Sequence, residues 1–166
     1  MEIREASPED TDGIRSVAKA SWDTDYPDIL SRESIEEGFD DWYAPDEIRE
    51  SLAWANTLIL VAEEDDNIVG FVHAVWDKEL EHGDILRLYV HPDHRGVGLG
   101  SRLFEEIKDE LTAVGVERLR AMVLEDNELG NAFYDGFGFE REDTQKISIG
   151  DESYRENTYV LDVSSA

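Results

Sequence analysis

Apolar positions along this chain keep two rhythms, and the switches between them mark out the elements. Alternating or continuous β-branched and apolar runs at Thr57–Glu63, Ile68–Trp76, Ile85–Val90 and Glu117–Leu124 read as strands. Glu2–Glu5 reads as a short strand of the same kind. The acidic turn Glu64-Asp65-Asp66-Asn67 joins the first two runs as a hairpin. A helical period takes over after Gly98: Leu99, Leu103, Phe104, Ile107, Leu111 and Val114 share one face, and Gly115 stands where a left-handed cap ends a helix.

Elsewhere the helical signals are shorter. Ser7-Pro8-Glu9-Asp10 has the order of a helix start, with Ile14, Val17 and Ala18 as the inward stripe. Asp23 to Ala44 reads as part loop and part helix around Ile35 and Phe39. Pro45-Asp46 opens a helix carrying Ile48, Leu52 and Ala55. Lys146–Ile149 and Tyr159–Val163 read as a closing hairpin around Gly150-Asp151. The resulting order is β-α-α-β-β-β-α-β-α-β-β, without repeats or linkers, and predicts a single α/β domain over residues 1–166. A chain of this length can bury a core without disulfides.

The most chemically suggestive stretch lies between the strand ending at Val90 and the long helix. There Arg95-Gly96-Val97-Gly98-Leu99-Gly100 turns the backbone just as a helix begins. Glycines let the chain wrap an anion closely, and a helix N-terminus points unpaired N–H groups and a positive dipole end at it. A P-loop would need Gly-Lys-Ser/Thr at the helix start, but Ser101-Arg102 follows Gly100. A dinucleotide fingerprint would place G-x-G-x-x-G directly after the strand, but His91-Pro92-Asp93-His94 intervenes and the spacing is G-x-G-x-G. Both sites are disfavoured, and with them a nucleotide-dependent oxidoreductase.

The phrase Val90-His91-Pro92-Asp93-His94-Arg95-Gly96-Val97-Gly98-Leu99-Gly100 resembles the acyl-CoA pyrophosphate loop, R-x-x-G-x-G, of the GNAT superfamily of N-acetyltransferases. A second stretch, Asn127 to Phe139, resembles that family's N-x-x-A-x-x-F-Y-x-x-x-G-F pattern. Asn127, Phe133, Tyr134, Gly138 and Phe139 match in register, while Gly130 replaces the usual Ala and predicts a looser helix. The resemblance covers nearly the whole chain. It implies a mixed, mostly antiparallel central sheet flanked by helices, with two central strands splayed apart.

The resemblance also implies site roles and acetyl-CoA as cosubstrate. Backbone groups of Leu88, Tyr89 and Val90 would meet pantetheine and the thioester. Arg95, Gly96, Val97, Gly98, Leu99, Gly100 and Ser101 would cradle the pyrophosphate through their N–H groups. Tyr134 falls on the position of the general acid; the plain alternative is packing beside Phe133. Asp84 matches the position where some members carry a catalytic glutamate. It is one methylene shorter, so it would act through water, and Glu79, Glu81 and His82 are rivals for that role. Asn127 would contact CoA or simply cap its helix. The function implied is acetyl transfer to a primary amine of a small molecule, peptide or protein. A non-catalytic acyl-CoA-binding module is the alternative.

Other residues carry weaker signals. His73 shares a strand face with Phe71 and Val75 and reads as a core histidine. His94 could approach a phosphate or stay on the surface. Arg87, inside a predicted strand, must find a partner or solvent and is a candidate contact for an anionic part of the acceptor. Trp22, Tyr26, Trp42 and Tyr43, beside Asp23, Asp25, Asp28, Asp40 and Asp41, suit a cationic amine; equally, they suit a loop anchored to the core. No spacing of His, Asp and Glu reads as a metal site.

Charge then narrows the setting. The chain has 41 acidic residues against 15 basic ones, a formal charge of −26, and no cysteine. That excess excludes nucleic acid as a partner, because no basic patch exists to meet phosphates. Periodic core positions argue against disorder. The remaining reading is a folded protein suited to a salt-rich cytoplasm, free of membrane, with a homodimer left open.

Overall fold

The computed structural model describes residues 2–52, 54–77, 79 and 81–163. Seven strands form one sheet in the order β1-β2-β3-β4-β5-β7-β6, from β1 (Glu2–Glu5), β2 (Thr57–Glu64), β3 (Asn67–Trp76), β4 (His82–Val90), β5 (Arg118–Leu124), β6 (Glu140–Ile149) and β7 (Glu152–Asp162). All neighbours are antiparallel except β4 and β5. Helices α1 (Thr11–Asp25), α2 (Arg32–Trp42) and α3 (Pro45–Leu52) cover one face; α4 (Leu99–Val114) and α5 (Glu128–Gly136) serve the other. The expected mixed, mostly antiparallel α/β architecture is therefore observed.

Each face has its own core. The long helix places Leu99, Leu103, Phe104, Ile107 and Leu111 against Val72, Ile85, Val90 and Leu119. The opposite core gathers Ile14, Val17, Trp22, Phe39, Tyr43 and Ile48 against Ile59, Val61 and Phe71. These are the helical stripes that the apolar period predicts, except that Val114, in the last turn of α4, is exposed. His73 is fully buried, bonded through Nε2 to the Thr57 hydroxyl at 2.8 Å, and burial pushes its imidazole down to about 3, with Arg87 adding to the effect. It is a core histidine, as its strand face implied.

The boundaries differ in informative places. Pro8–Asp10 forms a 3-10 turn before α1, with Asp10 held by Arg4 at 2.9 Å through both carboxylate oxygens. Asp65 and Asp66 both take left-handed φ angles, 51° and 64°, so the hairpin turn is tighter than the four-residue reading. Helix α3 ends at Leu52, leaving Ala55 in the turn before β2. The closing hairpin begins six residues earlier than Lys146, and its return strand seven residues earlier than Tyr159. Most of β6 is exposed on both faces as the edge strand, so its sequence lacks the apolar alternation that marks a half-buried strand.

One departure from regularity creates the site. Strands β4 and β5 pair only over His82–Ile85 and Arg118–Ala121. Beyond Ile85 the β3–β4 register slips: Ala74 faces Ile85, His73 faces Arg87, and Leu86 is bulged out. Strand β5 pairs with β7 along its whole length, Arg118–Leu124, while the edge of β4 from Leu86 to Val90 on the β5 side has no strand partner and opens into a gap.

Candidate active site

The glycine turn sits at one end of that gap. His91 Nδ1 accepts from the Asp93 N–H at 3.1 Å, and Pro92–His94 winds one 3-10 turn. His94 turns outward to Glu64, 3.3 Å away. Gly96 and Gly98 then take φ angles of 84° and 78°, which side chains other than glycine adopt at a cost. A Cβ at either position would meet nothing within 4 Å, so the open side of the turn faces free space. Gly98 caps α4, leaving the first N–H groups of that helix without intrahelical partners. The arrangement is a backbone cradle for an anion, built by conformation and not by cationic side chains.

Arg95 anchors the cradle from below. Its guanidinium binds both oxygens of Asp25 at 2.7 and 2.8 Å, and Nε donates to the Val90 carbonyl at 3.2 Å. Ser21 donates to the same carbonyl at 3.3 Å. The last turn of α1 thus fastens the end of β4 and the start of the loop together. Asp25→Asn should loosen this clamp: CoA affinity, measured by calorimetry, should fall several-fold, with a melting temperature only slightly lowered because the pair is partly exposed.

Tyr134 approaches the gap from the helix on the far face. Asn127 caps α5 by accepting the Gly130 N–H at 3.1 Å. Gly130 is not a loosening: a Cβ there would lie 2.8 Å from Cγ1 of Val123 and 2.9 Å from Nδ2 of Asn127. Glycine lets α5 press onto β5. Asn131 fastens the helix further, donating to the Leu124 and Asn127 carbonyls at 3.1 and 2.7 Å and accepting from Asn157 and the Tyr159 hydroxyl at 2.9 and 2.6 Å. Tyr134 is held between Phe133, Phe139 and Tyr159 and is 8% exposed. Burial, and to a smaller extent neighbouring Tyr89, push its phenol above the ordinary tyrosine value. Its hydroxyl makes no hydrogen bond among the described residues.

Two cavities meet at this tyrosine. One, of about 280 Å³, is lined by Arg95, Gly96, Gly98, Leu99, Gly100 and Ser101 of the turn and by Leu88, Tyr89, Val90 and Asn127, among others; Val97, the exposed residue of the turn, does not line it. The other, of about 290 Å³, lies on the α1–α2 face and is lined by Trp42, Asp84, Leu86, Arg87, Arg120 and Met122, among others. Tyr26, Leu88, Tyr89, Asn127, Gly130 and Tyr134 line both. Tyr89 is the partition, its hydroxyl accepting from Trp22 Nε1 at 3.1 Å and lying 3.3 Å from that of Tyr26.

The other candidates fall around the second cavity. Asp84 lines it, but Arg120 occupies both its oxygens at 2.7 and 3.1 Å, a pairing across two strands that no local spacing signals. Glu79, Glu81 and His82 do not line it. Arg87 lies 4.6 Å over the Tyr43 ring and donates to the Trp42 carbonyl at 3.1 Å. Trp22, Tyr26 and Tyr43 are buried anchors, and Trp42 is the exposed aromatic of the group. Among the described residues no group of three or more His, Asp or Glu side chains could hold a metal ion.

Residues 18–139 match the model of the acetyltransferase (GNAT) family. The chain belongs to this family. The spermidine N(1)-acetyltransferase of Thermoplasma acidophilum is 31% identical over 150 residues, covering 87% of this chain and 91% of that protein. An acetyltransferase of Yersinia pestis is 36% identical over 117 residues, 68% of this chain and 82% of the relative. The crystal structure of the PaiA N-acetyltransferase from T. acidophilum in complex with coenzyme A superposes with a TM-score of 0.85 at 25% identity, covering 97% and 98% of the two chains. This GNAT protein is thus an acetyl-CoA-dependent acetyltransferase.

Proposed function

We propose that the protein transfers the acetyl group of acetyl-CoA to a primary amine, with the cofactor in the cavity under the glycine turn and the acceptor in the cavity on the α1–α2 face. The observation that carries this reading is the placement of Tyr134 on the shared wall of both cavities. Acetyl-CoA supplies the acetyl thioester. The N–H groups of Gly96 to Ser101 hold its pyrophosphate, and the freed side of Leu88, Tyr89 and Val90 receives the pantetheine arm as an added strand would be received. Arg95 serves through its backbone and by bracing the turn. Asn127 lines both cavities.

In the transfer, the amine nitrogen bonds to the carbonyl carbon and the carbon–sulfur bond breaks. Sulfur takes the phenolic proton of Tyr134, the amine's surplus proton leaves through water, and water returns a proton to the phenolate. Burial that raises the phenol keeps it protonated at neutral pH, the form an acid needs. Asp84, already bonded through both oxygens, acts at a distance through Arg120 and water, so Asp84→Asn should cost far less than loss of Tyr134. The spermidine acetyltransferase among the relatives supports a cationic, aliphatic acceptor. The test is acetyl-CoA consumption, with product identified by mass spectrometry, against small amines, polyamines, lysine and peptide N-termini. CoA release with none of these, alongside tight CoA binding, would instead favour a cofactor-binding module.

We infer a salt-rich working medium from the charge of −26. Repulsion among surface carboxylates acts over about 10 Å at 0.1 M salt but only about 3 Å at 1 M. Against a stability of about 5–15 kcal/mol, small terms per charge add up. The melting temperature should rise steeply from dilute buffer to molar KCl; a salt-independent value would remove this inference and leave the acetyltransferase reading intact.

A further inference from the structure

Two carboxylates among the described residues are buried, and they differ in company. Asp10 and Glu156 are each 8% exposed. Asp10 is neutralised by Arg4 through both oxygens. Glu156 has no ion pair among the described residues; one oxygen accepts from the Gln145 amide at 3.0 Å, and it lines the acceptor-side cavity. A buried carboxylate with one neutral partner is costly for the fold, and a cation arriving in the cavity would relieve that cost. The cationic side chains of the same cavity are already engaged, Arg120 by Asp84 and Arg87 by the Tyr43 ring and the Trp42 carbonyl.

The wall around this carboxylate is apolar. Leu124 stands opposite Glu156 in the β5–β7 register, and Met122 lies two residues along β5 on the same face. Met122 and Leu86 are large apolar side chains left 45% and 46% exposed on the cavity lining, and Trp42 adds an aromatic surface. Such surface suits methylene groups, while the tyrosine hydroxyl marks where the reacting nitrogen must come. The neighbouring amide is itself steadied, Gln145 lying 3.9 Å from the Met122 sulfur.

We propose that Glu156 is the specificity-determining anion of the acceptor cavity, holding the second ammonium of an aliphatic diamine or polyamine whose first amine is acetylated beside Tyr134. This rests on the assignment of that cavity to the acceptor. Glu156 touches no reacting atom; it selects and positions. Its partner is an alkyl ammonium, because the carboxylate lies beside the apolar side chains of Leu124 and Met122.

Three acceptors with the same four-carbon backbone separate the possibilities: 1,4-diaminobutane, butylamine and 4-aminobutanoate, with cationic, neutral and anionic far ends. Assays in molar KCl screen the attraction that the acidic surface exerts on any cation, leaving close contacts. The wild type should prefer the diamine to butylamine, and 4-aminobutanoate should be worst. In Glu156→Gln, kcat/KM for the diamine should fall roughly 10- to 100-fold, through KM, with butylamine unchanged and the melting temperature of the free protein equal or higher, because the buried charge is gone. Equal losses for diamine and butylamine would show a base or a structural residue and overturn the proposal. So would a wild type that prefers butylamine or 4-aminobutanoate, the latter pointing to Arg87. Calorimetry of the same amines on the CoA-bound protein gives the ranking without turnover, so a failure of the acetyl-transfer reading remains distinct from a failure of this one.

Discussion

Tyr134→Phe should lower turnover roughly 10²- to 10⁴-fold and leave CoA affinity nearly unchanged. The substitution removes one oxygen from a side chain already fixed between Phe133, Phe139 and Tyr159, so packing survives and only the proton donor goes. The hydroxyl makes no hydrogen bond among the described residues, so its removal orphans no neighbour. The pH profile offers a second check. With the phenol raised above its ordinary value of about 10, wild-type turnover should show no falling limb from this acid below about pH 10. Stability follows the same sign: a raised phenol contributes nothing pH-dependent below the unfolded value and loses its contribution only as pH climbs past it. Full turnover in the variant would reduce Tyr134 to a packing residue.

Gly98→Val should weaken CoA binding by roughly 100-fold while the protein still folds. A β-branched side chain is strained at a φ of 78°, and its Cβ would project into the open space where the turn would receive an anion. Gly100→Ala is the control. A Cβ there points inward, making ordinary contact with Phe133 at 3.4 Å and Val90 at 3.7 Å, and the cradle stays open. Calorimetry with CoA should therefore separate the two variants sharply. Equal, near-native affinity in both would move the phosphate site off this turn.

Much of this site was legible beforehand because its parts are local. The glycine turn, the strand before it and the helix after it are contiguous, and so is the Asn127–Phe139 segment that positions Tyr134. Backbone conformation and helical period act over a few residues, and such signals survive in a linear string. The closing hairpin extends beyond its sequence signal for the same reason in reverse: an edge strand exposed on both faces carries no apolar rhythm from Glu140 to Gln145.

What the chain alone determined was the element order, the two apolar faces, the glycine turn at the start of the long helix and a net charge of −26. Only the tertiary structure decided how the charges are used. Arg95 belongs to Asp25, 70 residues away, and Asp84 to Arg120, 36 residues away. Glu156 is left facing a cavity with a lone amide at 3.0 Å. Among 41 acidic residues nothing in the string distinguishes a paired carboxylate from an unpaired one. Pairing depends on distance and burial, and both are set by strand register and by the parting of β4 from β5 at Leu86.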